Sequence, residues 1–196
     1  MTTFVLATAN AHKAEEMRAV LSELGIELLP RPGGVPEVEE NEVTLEGNAL
    51  LKARALVATT GHPAIADDTG LFVDALDGRP GVFSARYAGE SASYDDNVAK
   101  LLGELSGVPD GDRGASFRTV IAVAYPSGDS LCVDGVLEGR ITHERRGAYG
   151  FGYDPVFEPT YTGGRTLAEL TPEEKNLNSH RASALRALSE VLRTSS

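Results

Sequence analysis

The sequence is poor in cysteine, in tryptophan and in long apolar runs. Its 196 residues include one cysteine, Cys132, and no tryptophan. A single cysteine excludes an internal disulfide and a thiolate metal cluster. No apolar run approaches the roughly 18 residues needed to cross a bilayer, and MTTFVLATAN has no basic region before its short apolar stretch. We therefore expect a cytoplasmic protein with no membrane partner.

Basic residues are also scarce. Lys and Arg number 18 against 29 Asp and Glu, giving a net charge of -11. Broad contact with nucleic acid is therefore disfavoured, because it needs many cations against the phosphates. A small anion stays possible where cationic and N–H donors gather locally and a divalent metal offsets nearby carboxylates. The ordinary composition and the length predict one globular domain, 1–196.

Apolar spacing and turn residues predict alternating strands and helices. Helices are expected before Gly25, after the N-cap Thr44, around Val98–Leu105 and after the capping box Thr171–Glu174. Strands are predicted at Phe4–Ala7, Ile26–Leu29, Ala64–Ala66, Leu71–Leu76, Phe117–Tyr125 and Leu131–Ile141, the last two as a hairpin around 126–129. Asp67 and Asp68 are expected at a break between strands. The fold class is α/β, with a mixed sheet flanked by helices.

The turn Thr8–Lys13 joins the first predicted strand to the first helix. Free N–H groups and the positive end of a helix dipole can hold a phosphate there, with Asn10 and Lys13 as further donors. The alternative is structural: Asn10 caps the helix and Lys13 is a solvated residue of its first turn. The turn is not a glycine-rich Walker loop, and alone it leaves both interpretations open.

Two groups of acids suit a hard cation. In Asp67–Gly70 one carboxylate can bind the cation and the other can accept a proton from water, although Asp and Gly also form ordinary turns. Glu39, Glu40, Glu42 and Glu46 lie close to the start of a helix and can supply a magnesium ligand. A solvated acidic loop is the alternative for this second group.

Two further groups offer a stacking surface and donors. Gly150–Pro155 contains two glycines that permit close backbone approach, and Phe151 or Tyr153 that can stack on a base. Lys175 and Ser179–Arg181 add cations near the start of the last helix. Aromatic core packing and a basic helix face are the alternatives, and no group is decisive by itself.

In order and spacing, these groups together resemble the inosine triphosphate pyrophosphatase family, also called Ham1-like or non-canonical purine NTP pyrophosphatases. The resemblance covers nearly the whole chain. This sequence differs from the commonest bacterial pattern of the family at three positions. Ala9 and His12 stand where glycine is often found, and Thr69 stands where serine is frequent. The residues that carry it are Thr8–Lys13, Glu40 ahead of Asn48 and Lys52, Ile65–Leu71, Pro80–Tyr87, Phe151–Pro155 and Ser179–Arg181.

The resemblance implies a fold, a reaction and a set of site residues. The fold is an elongated mixed sheet in two lobes with a central nucleotide-binding cleft, typically in a homodimer. The reaction is Mg²⁺-dependent hydrolysis of dITP, ITP, XTP or dXTP to monophosphate and pyrophosphate, which sanitises the nucleotide pool. Glu40 and Asp68 resemble the magnesium ligands, and Asp68 the general base. The substrate-binding residues implied are Thr8, Ala9, Asn10, Ala11, His12, Lys13, Lys52, Thr69, Phe151, Gly152, Tyr153, Asp154, Lys175, His180 and Arg181.

The purine selectivity that the resemblance implies has a chemical reason. Hypoxanthine and xanthine present a carbonyl acceptor at C6, where adenine presents an amino donor. A pocket rich in donors, among them Lys175 and Arg181, favours the former and leaves adenine unpaired. The alternatives are a Maf-like pyrophosphatase acting on modified pyrimidines, a nucleotide sensor without turnover, and a structural or adaptor protein.

Overall fold

The computed structural model describes residues 3–36 and 38–194. Within these residues the chain forms seven strands and five α-helices, joined by loops and short 3-10 turns. The strands are β1 (Thr3–Leu6), β2 (Glu27–Leu29), β3 (Ala64–Val73), β4 (Pro80–Gly81), β5 (Gly114–Ala124), β6 (Ser130–Ile141) and β7 (Phe157–Pro159). The helices are α1 (Ala11–Glu23), α2 (Leu45–Thr60), α3 (Tyr94–Glu104), α4 (Pro172–Asn178) and α5 (His180–Thr194).

The strands form one mixed sheet in the order β2-β1-β3-β5-β6-β7, with β4 paired to β3. β1 runs parallel to β2 and to β3, whereas β4 is antiparallel to β3 and β7 is antiparallel to β6. β5 and β6 are sheet neighbours, and the amide of Tyr125 donates to the carbonyl oxygen of Asp129 across their turn. The predicted α/β class, the mixed sheet and the hairpin are therefore confirmed.

Helix ends follow the signals in the sequence. Asn10 caps α1 and Thr44 caps α2, each through its side-chain oxygen. Gly25 follows the end of α1 with φ 74°, and Gly61 ends α2 with φ 68°. Such left-handed positions cost glycine little because it has no Cβ. The predicted capping box of Thr171 and Glu174 starts α4, but the last helical region divides at Ser179 into α4 and α5.

Two strand predictions are wrong, the break at Asp67–Asp68 and the end of the strand Leu71–Leu76. Asp67 and Asp68 do not lie at a break, because β3 continues through them from Ala64 to Val73. Nearly every residue of β3 is buried, including both aspartates. Buried carboxylates are expensive unless they are paired, so β3 needs cations close by. The stretch after Val73 is a short 3-10 turn, Asp74–Leu76, and not further strand.

The chain divides into two compact units, each with its own apolar core. Unit 1 comprises the residues up to Asp68, Thr119–Gly135 and those from His180 onward. Unit 2 comprises Thr69–Arg118 and Val136–Ser179. Among the described residues, no helix is long and apolar enough to cross a membrane. That 1–196 acts as one domain stays a prediction.

The cores identify the side chains that hold each unit. In unit 1, one cluster is centred on Phe4, Met17 and Leu185, and another on Ala49 and Ala66. In unit 2, a cluster joins residues of β3, α3, β5 and β7, among them Leu71, Leu101, Phe117 and Phe157. Packing in these cores holds β3 and the N-terminal ends of α1 and α5 in place. These elements carry Asp67, Asp68, Lys13 and Arg181, which are described below.

Gly139 in β6 tests the packing of unit 2. A Cβ there would lie 2.4 Å from the carbonyl oxygen of Glu158 and 2.6 Å from the Phe157 ring. We expect Gly139→Ala to lower the free energy of unfolding by about 1–3 kcal/mol, because overpacking forces strand β7 to shift. Gly103→Ala is the control, since a Cβ at this position of α3 meets nothing within 4 Å. The control should be neutral or stabilising in urea unfolding; equal losses in both variants would contradict the packing.

Candidate active site

The turn between β1 and α1 is open and organised by two short side chains. Asn10 Oδ1 accepts hydrogen bonds from the amides of His12 and Lys13, at 3.0 and 3.2 Å. Thr8 Oγ1 accepts from the amide of Asn10 at 3.2 Å. Ala9, Ala11 and His12 are exposed. The helix-capping interpretation of Asn10 is therefore correct, and the exposed N-terminal end of α1 keeps the electrostatic character that favours an anion.

Lys13 is not a solvated residue of the first turn. Its Nζ lies 3.2 Å from Asp67 Oδ2, and its side chain is mostly buried. Arg181, at the start of α5, reaches the same oxygen with Nε and Nη2, both at 3.3 Å. Glu16 pairs with Nη1 of Arg181. Asp67 thus binds one cation from α1 and one from α5.

These cations determine the protonation state of Asp67. Burial opposes ionisation, but the charges of Lys13 and Arg181 outweigh it and hold the pKa of Asp67 well below its usual range. Arg181 is also buried; although burial disfavours its charge, Asp67 and Glu16 raise the pKa of its guanidinium. Asp67 is therefore an ionised carboxylate committed to holding two cations.

Asp68 has different partners because consecutive residues of a strand point to opposite faces. Asn48 Nδ2 donates to Asp68 Oδ2 at 3.2 Å, and Lys52 Nζ donates to Oδ1 at 3.3 Å. Lys52 also donates to Glu40 Oε1 at 2.6 Å. Both Asn48 and Lys52 lie on α2, four residues apart and hence on one side of the helix.

The environment of Asp68 shifts its pKa in the direction opposite to that of Asp67. Burial raises the pKa of Asp68 above its ordinary value, and the nearby carboxylate of Glu40 adds to the rise, against the charges of Lys52 and Lys13. The pKa of Lys52 is itself raised, because the three carboxylates around it outweigh its burial. Neighbouring carboxylates with separated pKa values are a common arrangement for distinct catalytic roles.

The donor set fits a hard divalent cation. Two carboxylates, Glu40 and Asp68, converge on the ammonium group of Lys52, so a positive charge is already stabilised at this point. No group of three His, Cys, Asp or Glu is arranged to hold a metal within 3–36 and 38–194. Mg²⁺ commonly uses one or two carboxylates and completes its ligands with water and substrate phosphate. Glu39, Glu42 and Glu46 are exposed, which matches the alternative of a solvated loop.

The aromatic and basic residues of unit 2 form a second group. Lys175 Nζ donates to Asp154 Oδ2 at 2.5 Å and lies 4.7 Å from the centre of the Phe151 ring. The amide of Phe151 donates to the same oxygen of Asp154 at 2.9 Å. Lys175 and Asp154 are buried, whereas Phe151 and Gly152 are partly exposed. Lys175 therefore makes a cation-π contact with one face of the Phe151 ring, which restrains the position of the ring.

Tyr153 lies in the core of unit 2 and not at its surface. It is 5% exposed, and its hydroxyl donates to the carbonyl oxygen of Ser84 at 2.9 Å. Burial raises its pKa above the ordinary value. Tyr153 therefore fits the alternative of aromatic core packing, and of the two aromatic residues only Phe151 is partly exposed. The predicted contact of Tyr153 with substrate stays a prediction.

Three residues that contact the predicted site residues have no role assigned from the sequence. Glu16 lies three residues after Lys13 and so shares its side of α1, which is the one signal that pointed to it. Asn48 belongs to the resemblance but had no stated function. Thr119, whose Oγ1 lies 2.6 Å from Nδ1 of His180, gave no signal at all.

Asp67 tests the stability of the cation cluster. We expect Asp67→Asn to lower the free energy of unfolding by about 3 kcal/mol or more, because it leaves buried Arg181 without one of its carboxylates. Since the folded pKa is lowered, Asp67 stabilises the protein above its unfolded pKa, and this contribution is lost as the pH falls through the acid range below about 4. Urea unfolding from pH 7 to about pH 2 measures both effects, because the loss begins only below the unfolded pKa.

Glu90→Gln is the control for that series, since Glu90 is largely exposed. It should change stability by less than about 0.5 kcal/mol. The cluster would be energetically unimportant if Asp67→Asn behaved like the control at pH 7.

The fold and the site together define a class of protein. The α/β fold has an exposed helix N-terminus, an ionised Asp67 between two cations, and a carboxylate pair suited to a divalent metal. These features are typical of a phosphate-binding α/β protein. The chain belongs to the Ham1 family, whose sequence model matches residues 4–191.

Individual relatives agree with that assignment. The chain is 50% identical over 190 residues to the dITP/XTP pyrophosphatase of Lactiplantibacillus plantarum, covering 95% of this chain and 92% of the relative. It is 46% identical over 200 residues to the dITP/XTP pyrophosphatase of Streptomyces coelicolor, covering 98% of each. A solved HAM1 protein from Coxiella burnetii matches with a TM-score of 0.88 and 45% identity, over 99% of this chain and all of that one.

Proposed function

We propose that this protein hydrolyses the non-canonical purine nucleotides dITP, ITP and XTP or dXTP to monophosphate and pyrophosphate, with Mg²⁺ as cofactor. The observation that carries the proposal is the Asp67–Asp68 pair, two adjacent buried carboxylates with oppositely shifted pKa values. The relatives support the substrate class, since those from L. plantarum and S. coelicolor are named dITP/XTP pyrophosphatases. The physiological role proposed is sanitation of the nucleotide pool.

The triphosphate is proposed to bind at the turn Thr8–Lys13, at Lys52 and at Thr69. The exposed N-terminal end of α1 offers N–H groups and a positive dipole end. Ala9 and His12 carry side chains where the family often has glycine, so the phosphate approaches a less permissive backbone here. Lys13 and Lys52 add charge, and each is held in place by an aspartate of β3.

Mg²⁺ is proposed to be held by Glu40 and Asp68. When bound, it neutralises phosphate charge that would otherwise repel the two carboxylates. Lys52 lies between these carboxylates and forms an ion pair with each of them. Asn48 orients Asp68 through the second carboxylate oxygen.

Asp68 is proposed as the general base for attack on the α-phosphorus. A water molecule forms the new bond to the α-phosphorus and gives its proton to Asp68, while the bond to the bridging oxygen breaks and pyrophosphate leaves in line. A carboxylate whose pKa is raised by burial accepts a proton more readily than an ordinary one. Asp67 is unsuited to this role, because Lys13 and Arg181 hold its pKa low.

Base recognition is proposed for Phe151, Gly152, Tyr153, Asp154, Lys175, His180 and Arg181. The partly exposed ring of Phe151 offers a stacking face, and Lys175 fixes that ring from one side. Lys175, His180 and Arg181 bring donors suited to the 6-carbonyl of hypoxanthine or xanthine. The guanidinium of Arg181 also binds Asp67 and Glu16, which fixes its position before substrate binds.

Oligomeric state, compartment and domain organisation are proposed as well. A homodimer follows from the family resemblance, and light scattering at micromolar concentration would test it. The cytoplasm is proposed because the nucleotide pool that the reaction would clean is found there. The whole of 1–196 is proposed to work as one domain, since a single family model matches residues 4–191.

The position of attack tests the proposed chemistry. Hydrolysis of ITP in ¹⁸O-water should place the label in inosine monophosphate and leave pyrophosphate unlabelled, because water attacks the α-phosphorus. Mass spectrometry of the two products measures this. Label in pyrophosphate would mean attack at the β-phosphorus, and release of orthophosphate in place of pyrophosphate would mean a different reaction.

A further inference from the structure

Asn48, in the first turns of α2, is a fully buried side chain with a partner at each end of its amide. Its Oδ1 accepts a hydrogen bond from the backbone amide of Glu42 at 3.1 Å, and its Nδ2 donates to Asp68 Oδ2 at 3.2 Å. A backbone N–H can only donate, so the oxygen of Asn48 must face Glu42 and the nitrogen must face Asp68. Asn48 therefore links the loop before α2 to β3.

The same loop, residues 38–44, also rests on α2 at Gly47. A Cβ at Gly47 would lie 2.8 Å from Cβ of Glu42 and 3.1 Å from Oγ1 of Thr44. Glycine is needed here because any larger residue would push the loop away from the helix. The end of the loop is thus held at two adjacent residues of α2, by close packing at Gly47 and by a hydrogen bond at Asn48.

The loop carries Glu40, and Lys52 provides a second connection between Glu40 and Asp68 by pairing with both carboxylates. In the proposed function Lys52 binds the triphosphate, so this ion pair is not available to hold the loop when substrate is bound. The link through Asn48 involves no residue that is proposed to bind substrate. It can therefore hold the loop and Asp68 together in both states.

We propose that Asn48 ties this loop to Asp68 and so sets the spacing at which Glu40 and Asp68 both reach one divalent cation. Asn48 is then a positioning residue of the metal site. The assignment rests on the proposed function, which names the two carboxylates as ligands. Mg²⁺ tolerates little variation in the distance and angle of its ligands, so a small shift of the loop should weaken binding.

Amide exchange measures the link itself. In ¹⁵N-labelled, substrate-free protein, the Glu42 amide should exchange about 3- to 10-fold faster in Asn48→Leu than in the wild type, the range expected for loss of one neutral hydrogen bond. The amide of Gly47 is bonded to Thr44 and should change little, which would show that the start of α2 is intact. Equal exchange of Glu42 in the two proteins overturns the proposal.

Mn²⁺ binding tests the consequence without catalysis. EPR of the free ion gives the dissociation constant of Mn²⁺ in substrate-free protein, and Asn48→Leu should raise it about 10- to 100-fold, the loss typical when a residue that supports metal ligands is removed. Asn97→Leu is the matched control. Asn97 is also buried in a helix, accepts from the amide of Ala88 and donates to the carbonyl oxygen of Ala85. Its variant should leave Mn²⁺ binding unchanged.

Gly47→Ala disturbs the loop and keeps both polar groups of Asn48. The dissociation constant of Mn²⁺ should rise about 10-fold, and the rate of ITP hydrolysis should return close to that of the wild type at saturating Mg²⁺, because Asp68 keeps its donor. In Asn48→Leu part of the loss in kcat should persist at saturating Mg²⁺, since Asp68 has lost that donor. Should Asn48→Leu fail to fold, Gly47→Ala decides the question.

The outcomes separate this proposal from the proposed function. Binding of Mn²⁺ as in the wild type, by either Asn48→Leu or Gly47→Ala, overturns the positioning role, and hydrolysis of ITP by the wild type then still supports the proposed function. An equal loss in Asn97→Leu overturns it too, since general loosening would explain both. A wild type that binds no Mn²⁺ removes the metal site and this role with it. If the wild type binds Mn²⁺ but does not hydrolyse ITP, the proposed function is wrong, and the variants still decide whether Asn48 positions the cation ligands.

Discussion

Asp68→Asn should lower kcat for ITP by about 10²- to 10⁴-fold, the range that a general base contributes, while nucleotide binding persists. Asparagine keeps the shape of aspartate and an oxygen for Lys52, but its amide cannot accept the proton of the attacking water. Asn48 and Lys52 donate to opposite oxygens of Asp68, so the amide loses one of these hydrogen bonds. Single-turnover hydrolysis and equilibrium binding of ITP measure the two effects separately.

Asp68 is also the proposed ligand of Mg²⁺, so the assay needs a magnesium titration. If the loss of rate persists at saturating Mg²⁺, the proton-accepting role is supported; if added Mg²⁺ restores the rate, Asp68 acts as a ligand alone. Asp129→Asn is the matched control, because Asp129 lies in the exposed turn between β5 and β6. A wild type that binds ITP without releasing pyrophosphate would favour the nucleotide sensor.

Removal of divalent metal is expected to have a comparably large effect. With EDTA in excess, hydrolysis of ITP should fall at least about 10²-fold, because the triphosphate charge is then left facing Glu40 and Asp68. Adding Mg²⁺ back should restore the rate. Glu40→Gln should raise the Mg²⁺ concentration needed for half-maximal rate by at least roughly 10-fold. A loss of this size is typical when a supporting carboxylate is removed from a metal site.

Glu39→Gln provides the comparison for Glu40→Gln. Glu39 precedes Glu40 directly in the chain and is exposed. It should leave the magnesium dependence close to that of the wild type, since Glu40 accepts a hydrogen bond from Lys52 whereas the side chain of Glu39 is exposed. Full activity in EDTA, or an identical shift in both variants, would remove the proposed metal site.

Local signals in the sequence predicted most helix ends, because caps depend on one or two nearby residues. Asn10, Thr44 and the box from Thr171 to Glu174 all act within their own turn. The break expected at Asp67–Gly70 failed for the opposite reason. Aspartate, threonine and glycine favour turns locally, but cations from α1, α2 and α5 allow both carboxylates to stay in a buried strand.

The site shows the same division. The groups proposed for phosphate, metal and base were recognised from residue types, spacing and family resemblance. Glu16 and Thr119 were missed, because their partners Arg181 and His180 are 165 and 61 residues away in the chain. Neither residue lies in a motif with a chemical meaning of its own. The role of such residues is visible only when the fold brings their partners to them.

The most direct test of the proposed function is pyrophosphate release from ITP, XTP, dITP, GTP, ATP and dTTP, at equal concentration and saturating Mg²⁺. Donors facing the 6-carbonyl predict rapid release from ITP, XTP and dITP and little from ATP and dTTP. GTP shares the 6-carbonyl, and its rate shows how strongly the group at C2 is rejected. Preference for dTTP, or no release from any of the six, would contradict the assignment of this chain as a non-canonical purine pyrophosphatase.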